Sequence, residues 1–331
     1  MFMRNTRATL SDLSEKLGYS KTTVSLALRS SPKIPESTRR KIEMVARKFA
    51  YVPNFAAQSL KKGRTDLVGI YAEMNDQVRV SIVNSLFEAM SAVGMKPLVG
   101  ITKPLSEGWD ESSYVKTFLE LHVSVIAIVS FDVPVLPKWQ KEVPLILVGA
   151  QERKNCDCVL LDRGEAGETA ARFLLSQGIE EATLVLNNIN EDALPVLDAE
   201  GFAMRCARVL RQDGFECPSY NLTGDNASMM SLVERTRNSK KRTGLCFCDS
   251  EVAAKFMAIA QHSGIDISKD ICVVGYDYFP TADIVGIPLT TVEQPVDLLA
   301  KYATHVIENR IKNPGSEYNQ ITLKHRLVVR Q

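Results

Sequence analysis

Side chains able to do covalent or proton-transfer chemistry are present in this chain, but no spacing lets them work together. Ser113-Tyr114-Val115-Lys116 fits S-x-x-K, yet it falls in a helical pattern without companion motifs. The four histidines, His122, His262, His305 and His325, are scattered, and proton transfer needs one held beside its partner. No strand is followed by G-x-G-x-x-G, and G-x-x-x-x-G-K-[ST], G-x-S-x-G and H-E-x-x-H do not occur. The seven cysteines include Cys156-Asp157-Cys158 and Cys246-Phe247-Cys248, but no CxxC with a second CxxC or a His pair at zinc spacing. No enzyme, metal or cofactor is expected. What remains is recognition chemistry, in which Lys21, Thr22, Thr23 and Ser25, with Leu26, follow directly on Ser20.

Those residues need a rigid carrier, and the sequence supplies one. Leu10, Leu13 and Leu17 recur at helical spacing, and Thr9 with Asp12 forms a [ST]-x-x-[DE] start signal, so a helix runs from about Leu10 to Leu17 and stops at Gly18. Ser20 caps a second helix that turns Val24, Ala27 and Leu28 inward. The spacing is that of a helix-turn-helix, whose second helix enters a major groove N-terminal residues first. An ordinary amphipathic hairpin has the same spacing, so the rest of the chain must decide.

Charge decides in favour of a polyanion. The net charge of +1 over 331 residues hides 14 Lys/Arg against 4 Asp/Glu in residues 1–64 and 26 against 35 in residues 65–331. A small basic module is joined to an acidic body. Met1 to Leu10 lacks the apolar stretch of an export signal and no run of about 18 apolar residues occurs, so a cytoplasmic protein without membrane contact is expected. Cys246, Cys248 and Cys272 lie in apolar runs that read as buried strands, where a free thiol acts as a small hydrophobe.

After a turn, Ile42, Val45, Ala46 and Phe49 recur on one face of a third helix that begins near Pro35. This face closes a small core, leaving Arg39, Arg40, Lys41, Arg47 and Lys48 for phosphates. Asn54 caps a further helix of about eight residues, which is marginal in water and forms only when something holds it.

The run TLSDLSEKLGYSKTTVSLAL, then PESTRRKIEMVARKFAYVPN, then AAQSL and GRT resemble the headpiece of the lactose-repressor (LacI/GalR) family of bacterial transcription regulators. The resemblance implies that Lys21 and Thr22 read base edges, and that Leu26 stands where many members carry a base-contacting arginine. Leucine packs on a thymine methyl but cannot grip guanine, so a different half-site is implied. It also implies that Ala57 and Leu60 reach the minor groove, Leu60 as an apolar wedge, with Gln58 in place of the family's arginine. Thr9, Ser20, Thr23, Ser25 and Asn54 complete the expected DNA-binding set.

From Asp66 onward β and α segments alternate. LVGIYA, PLVGI, VSVIAIVS and VPLILVG read as buried parallel strands of one series, and ATLVLN, SYNL, GLCFCD and ICVVGYD as a second. A long helix from Val296 and a final strand QITLKHRLVV follow. The expected fold is a small all-α helix-turn-helix headpiece plus an α/β body of two doubly wound parallel-sheet lobes, with ligand groups at the carboxyl ends of strands. The expected division is 1–52 for the headpiece, 53–65 for hinge helix and linker, and 66–331 for an effector-binding and dimerisation domain. Within it, one lobe takes about 66–161 and 293–318, the other about 162–292 and 319–331.

The body is similar to the family's effector domain, itself similar to periplasmic sugar-binding proteins, through Asp162 with Gly167, Gly201-Phe202, VVGYD and LTTVEQP. By this resemblance Asp277 contacts the effector and Asp249 replaces a polar Asn. Asp198 stands where an arginine often clamps ligand and Asn226 where an aromatic ring often stacks, and Tyr276, Tyr278 or Phe279 offers a substitute ring. If Asp198, Asp249 and Asp277 converge, the site suits a hydroxyl-rich or cationic ligand over an anionic one. Together these observations describe a dimeric regulator of double-stranded DNA, a repressor, tuned by a small sugar-like effector. The same DNA-binding role under control of a protein partner or of no ligand, and a stand-alone solute-binding module, are the other readings, and the basic N-terminal segment argues against the last.

Overall fold

In the first helix of the chain the backbone is held by reciprocal bonds at its start: Asp12 N–H donates to Thr9 Oγ1 (3.2 Å) and Thr9 N–H to Asp12 Oδ2 (2.7 Å). The computed structural model describes residues 8–52, 65–74, 77–103, 113–130, 133, 135–149, 152–187, 201–267, 269–276 and 288–330. They fall in two compact units, Met1–Thr65 and Asp66–Gln331.

In the first unit α1 (Leu10–Leu17) ends at Gly18, which takes the left-handed conformation (φ +70°) that a side chain would disfavour. Ser20 caps α2 (Lys21–Leu28), and α3 spans Glu36–Lys48. Leu13, Val24, Ala27, Ile42 and Ala46 are buried between them, with Leu10, Leu17, Leu28 and Val45 packed at the margin. Phe49, expected in this core, is 40% exposed. The chain leaves α3 through Ala50 at φ +45°, with Tyr51 N–H bonded to Ala46 O (2.9 Å) and Ala50 N–H to Arg47 O (3.0 Å). This αL exit turns Tyr51 onto the core in Phe49's stead.

The second unit contains two six-stranded sheets. Strands β1 (Leu67–Glu73), β2 (Lys96–Thr102), β3 (Val125–Val129), β4 (Leu145–Val148), β5 (Asp157–Leu161) and β11 (Gln320–Leu323) form one, in the order β11-β5-β4-β3-β1-β2, all parallel. The other contains β6 (Glu181–Asn187), β7 (Ser219–Leu222), β8 (Thr243–Phe247), β9 (Ile271–Tyr276), β10 (Thr290–Glu293) and β12 (Arg326–Val328), in the order β12-β10-β9-β8-β6-β7. Among the described residues its one antiparallel pairing, β10 with β12, lies at an edge. Helices Gln77–Ala92 and Val296–Lys312 pack on the first sheet, and Arg163–Ser176 and Phe202–Gln212 on the second. Gly94, Gly178, Gly214 and Gly264 end their helices at positive φ, as their placement before strands predicts.

Two features differ from the expectation. β5 is not announced by the sequence, because its first residue, Asp157, is a charge buried against Arg310, more than 150 positions away. QITLKHRLVV is two strands in different sheets, so residues 320–323 belong to the first lobe and not to the second as the expected division has it. The chain thus crosses between lobes at Asp162, at Gln294-Pro295 and at Lys324-His325.

Candidate nucleic-acid interface and effector site

The second helix of the headpiece owes its start to Ser20, whose Oγ accepts from Thr23 N–H (3.1 Å) and lies 2.9 Å from Thr23 Oγ1. Thr9 and Ser20 are thus engaged at helix starts and position the outer face. Lys21 and Thr22 are exposed, Thr23, Ser25 and Leu26 half-exposed, while Val24 and Ala27 are fully buried. Leu26 therefore lies off the buried face. The helix presents a cation, hydroxyls and one apolar side chain, a set that can hydrogen-bond base edges and pack on a methyl.

Of the cations set aside for phosphates, three have partners within the headpiece. Arg39 and Arg40 both pair with Glu36, Arg40 Nε at 2.9 Å, and Arg39 also lies 3.8 Å from Glu43. The Arg40 and Arg39 guanidiniums hold the Glu36 carboxyl below its usual range. Lys41 sits 5.9 Å over the Tyr19 ring and Lys16 5.6 Å over Phe49. Lys21, Arg29, Lys33, Arg47 and Lys48 are exposed and have no acidic partner among the described residues. Asn54, Ala57, Gln58 and Leu60 lie outside the described residues.

In the body, polar residues close the apolar strands at their carboxyl ends. Asn187 ends β6 and donates to Asp249 Oδ2 (3.2 Å), just after β8. The other oxygen of Asp249 caps the Ser250–His262 helix, accepting from Glu251 N–H (2.9 Å) and Val252 N–H (3.1 Å). Asn226 is exposed at the start of the Asn226–Asn238 helix, beyond edge strand β7, and Asp225 rather than Asn226 caps that helix. In the first lobe buried Glu73, at the end of β1, accepts from Ser130 Oγ (2.7 Å) and pairs with Arg79 (3.4 Å). Asn187, Glu73 and Ser130 were missed in the sequence. The available signal was a polar residue ending an apolar run, as in ATLVLN and LVGIYAE.

Tyr276, expected to face an effector, is a packing residue instead. Its ring is buried and stacked on Phe202, centroids 4.3 Å apart. Its hydroxyl lies 3.2 Å from His325 Nε2 and accepts from Arg163 Nε at 3.4 Å. These partners come from two of the interlobe crossings, so the phenol ties them to the end of β9. Burial, then the nearby Arg163 charge, pulls His325 down to about 4, so the ring is neutral at physiological pH. Asp198 and Asp277 lie outside the described residues. Among the described residues no three His, Cys, Asp or Glu side chains gather as a metal site, and no helix is long and apolar enough to cross a membrane.

A capped helix pair of this kind, on a chain whose other unit has two parallel α/β lobes joined by three crossings, defines a class: DNA-binding regulators with a periplasmic-binding-protein-like body. Residues 9–54 match the model for bacterial regulatory proteins of the lacI family, and residues 171–331 the periplasmic binding protein-like domain. The chain is 23% identical over 338 residues to the HTH-type transcriptional repressor PurR of Vibrio campbellii, covering 98% of both. Its fold is similar to that of the Lac repressor dimer bound to operator and the anti-inducer ONPF (TM-score 0.74, 19% identity, 98% of each chain). It is also similar to that of the transcriptional regulator CelR in its cellobiose complex (TM-score 0.63, 22% identity, 98% of this chain and 99% of that one). The chain thus carries a lacI-family DNA-binding module followed by a periplasmic binding protein-like domain, the domain pair of a DNA-binding transcription regulator.

Proposed function

We propose that this protein is a cytoplasmic repressor that binds a near-palindromic operator as a homodimer and responds to a small molecule held between its lobes. The observation that carries the reading is the Ser20-capped helix with Lys21 and Thr22 exposed at its start. One such helix reads too few base pairs for useful specificity, and twofold symmetry doubles the contacts. In this reading residues 1–52 grip DNA, 53–65 form the hinge with Leu60 as wedge, and 66–331 bind effector and pair the subunits. Lys21, Thr22, Thr23, Ser25 and Leu26 face the groove, with Asn54, Ala57 and Gln58 in the hinge. Selection of bound duplexes by the full-length protein tests it: an enriched inverted repeat supports the reading, and no enriched sequence at low salt ends it.

A homodimer face is supported by side chains on β2. Val99 and Ile101 pair in register with Ile70 and Ala72, whose side chains lie under the Gln77–Ala92 helix, yet they are 37% and 53% exposed at the sheet edge. Phe87 on that helix is 45% exposed. A second copy covering them would bury this apolar strip. Val99→Asp with Ile101→Asp should give monomers by light scattering; an unchanged mass would remove this face.

The effector reading is supported by Asp249 with Asn187 at neighbouring strand ends and by Glu73 at the end of β1 in the first lobe; the family resemblance would add Asp198, Asn226 and Asp277 to this set. This set favours a sugar-like polyol or a cation over an anion. Binding would alter the angle between lobes and hence the spacing of the paired hinge helices. Thermal-shift titration separates the classes: stabilisation by sugar phosphates alone would contradict the assignment.

A further inference from the structure

None of the seven cysteines is in the DNA-reading or effector set proposed above, and two of them stand together at the start of an edge-side segment of the first sheet. Cys156 immediately precedes β5 and Cys158 is its second residue, with their sulfurs 3.7 Å apart. Both Sγ atoms lie near Arg153 O (3.7 and 3.6 Å), the backbone of a turn whose next residues, Lys154 and Asn155, are exposed. Asn155 holds a left-handed φ of 65° in that turn. All four sulfurs are buried, but the other close pair, Cys206 and Cys246 at 3.4 Å, lies inside the second lobe's core, whereas Cys156 and Cys158 lie directly beside the exposed Lys154-Asn155 turn. Between the first two thiols stands Asp157. Its carboxylate accepts from Arg310 Nε (2.7 Å) and Nη2 (3.1 Å), and from the backbone and side-chain nitrogens of Asn319 (2.8 and 2.9 Å). Arg310 in turn holds the carbonyls of Pro314, Ser316 and Glu317, the turn that feeds β11.

We propose that Cys156 and Cys158 are a thiol–disulfide switch, closed by a hydroperoxide, whose closure loosens the Arg310 anchor through Asp157. The Cys158 thiolate attacks the peroxide; an S–O bond forms, the O–O bond breaks, and the leaving oxygen takes a proton to become water or an alcohol. The Cys156 thiol then attacks the sulfenic sulfur. An S–S bond forms, the S–O bond breaks, and the departing hydroxide takes the Cys156 proton as water, so the two thiols lose two electrons that the peroxide gains. The hydrogen bond from Cys156 lowers Cys158 to about 7 against the opposing effect of burial, which suits it to be the attacking sulfur.

The mechanical consequence follows from chain geometry. Same-face neighbours in a strand are about 6.6–6.8 Å apart along the chain, whereas disulfide-linked Cα atoms most often lie about 5.5–6 Å apart. Closure shortens the segment by about 1 Å, and Asp157 must absorb it. Its four hydrogen bonds are set at 2.7–3.1 Å and cannot all survive that shift.

Full-length protein treated with hydrogen peroxide, then mapped by mass spectrometry without reduction, tests this. The expected result is a loss of two mass units located to the peptide holding Cys156 and Cys158, ahead of any Cys206–Cys246 link. The unfolding midpoint should fall by about 5 °C or more, restored by dithiothreitol. Iodoacetamide at pH 7 should label Cys158 before Cys156, and Cys156→Ser should stop oxidation at the sulfenic acid. Absence of the 156–158 link, or prior oxidation of another pair, overturns the site. A link that leaves the midpoint unchanged overturns its coupling to Arg310.

Discussion

Gly167→Ala should damage the second lobe out of proportion to one added methyl. Gly167 lies in the Arg163–Ser176 helix where it meets the helix that opens at Phe202, and a Cβ there would stand 2.1 Å from Phe202 O and 3.0 Å from Cys206 N. A carbon–oxygen contact needs more than 3 Å, so the helices must separate by about 1 Å, and both obstacles are backbone that cannot rotate away. Overpacking of this kind costs about 1–3 kcal/mol, toward the upper end here, offset by up to about 1 kcal/mol from alanine's better helix propensity. A net loss of about 2 kcal/mol is expected, and because Phe202 stacks on Tyr276 the cleft-facing end of β9 moves with it. Thermal unfolding of the full chain measures it, with Gly315→Ala as control, since a Cβ there meets nothing within 4 Å. If both variants melt with the wild type, the close approach of these helices is refuted.

Three further outcomes follow from the same observations. Lys21→Ala should change which half-site sequence is preferred, while Arg47→Ala with Lys48→Ala should weaken all sequences alike and flatten the salt dependence; fluorescence anisotropy at several salt concentrations separates the two. Asp157→Asn should cost about 3–5 kcal/mol, because it leaves the buried Arg310 charge without its partner, and a denaturation midpoint close to wild type would count against the anchor. His325 titrates near 4 in the folded protein and near 6.5 when unfolded. Between those values the unfolded chain binds the extra proton, so stability is lost as pH falls through that window. His325→Gln should flatten the midpoint–pH curve there, and an unchanged curve would place the titration elsewhere.

The headpiece was legible because its determinants are local. Thr9, Asp12, Gly18 and Ser20 act within three or four residues of their own positions, and α1 and α2 begin and end where those residues predict. Phe49 kept the helical period but not the burial, since the αL exit at Ala50 carries no glycine to announce it. In the body, apolar runs announced most strands. β5 was hidden because Asp157 breaks the run, and its reason for being buried, Arg310, is remote in sequence. The division of QITLKHRLVV between sheets could not be read either, because both halves have strand composition and only the neighbours, β5 and β10, differ. Asp249 was found at a strand end, but its use of one oxygen as a helix cap and the other for Asn187 depends on tertiary placement. Tyr276 shows the limit: a tyrosine beside an aspartate reads as a ligand-facing ring until Phe202 and His325 are seen around it.

The central claim is that the Ser20-capped helix reads DNA in a sequence-dependent way and that the two-lobed body modulates the reading. The most direct measurement is the dissociation constant of full-length protein for a selected inverted-repeat duplex and for a scrambled one, at about 0.15 M salt, with and without a metabolite panel. The account predicts at least about a thousandfold preference for the selected duplex, and a change in that preference with some neutral or cationic metabolite. Equal affinity for the two duplexes under every condition would contradict it.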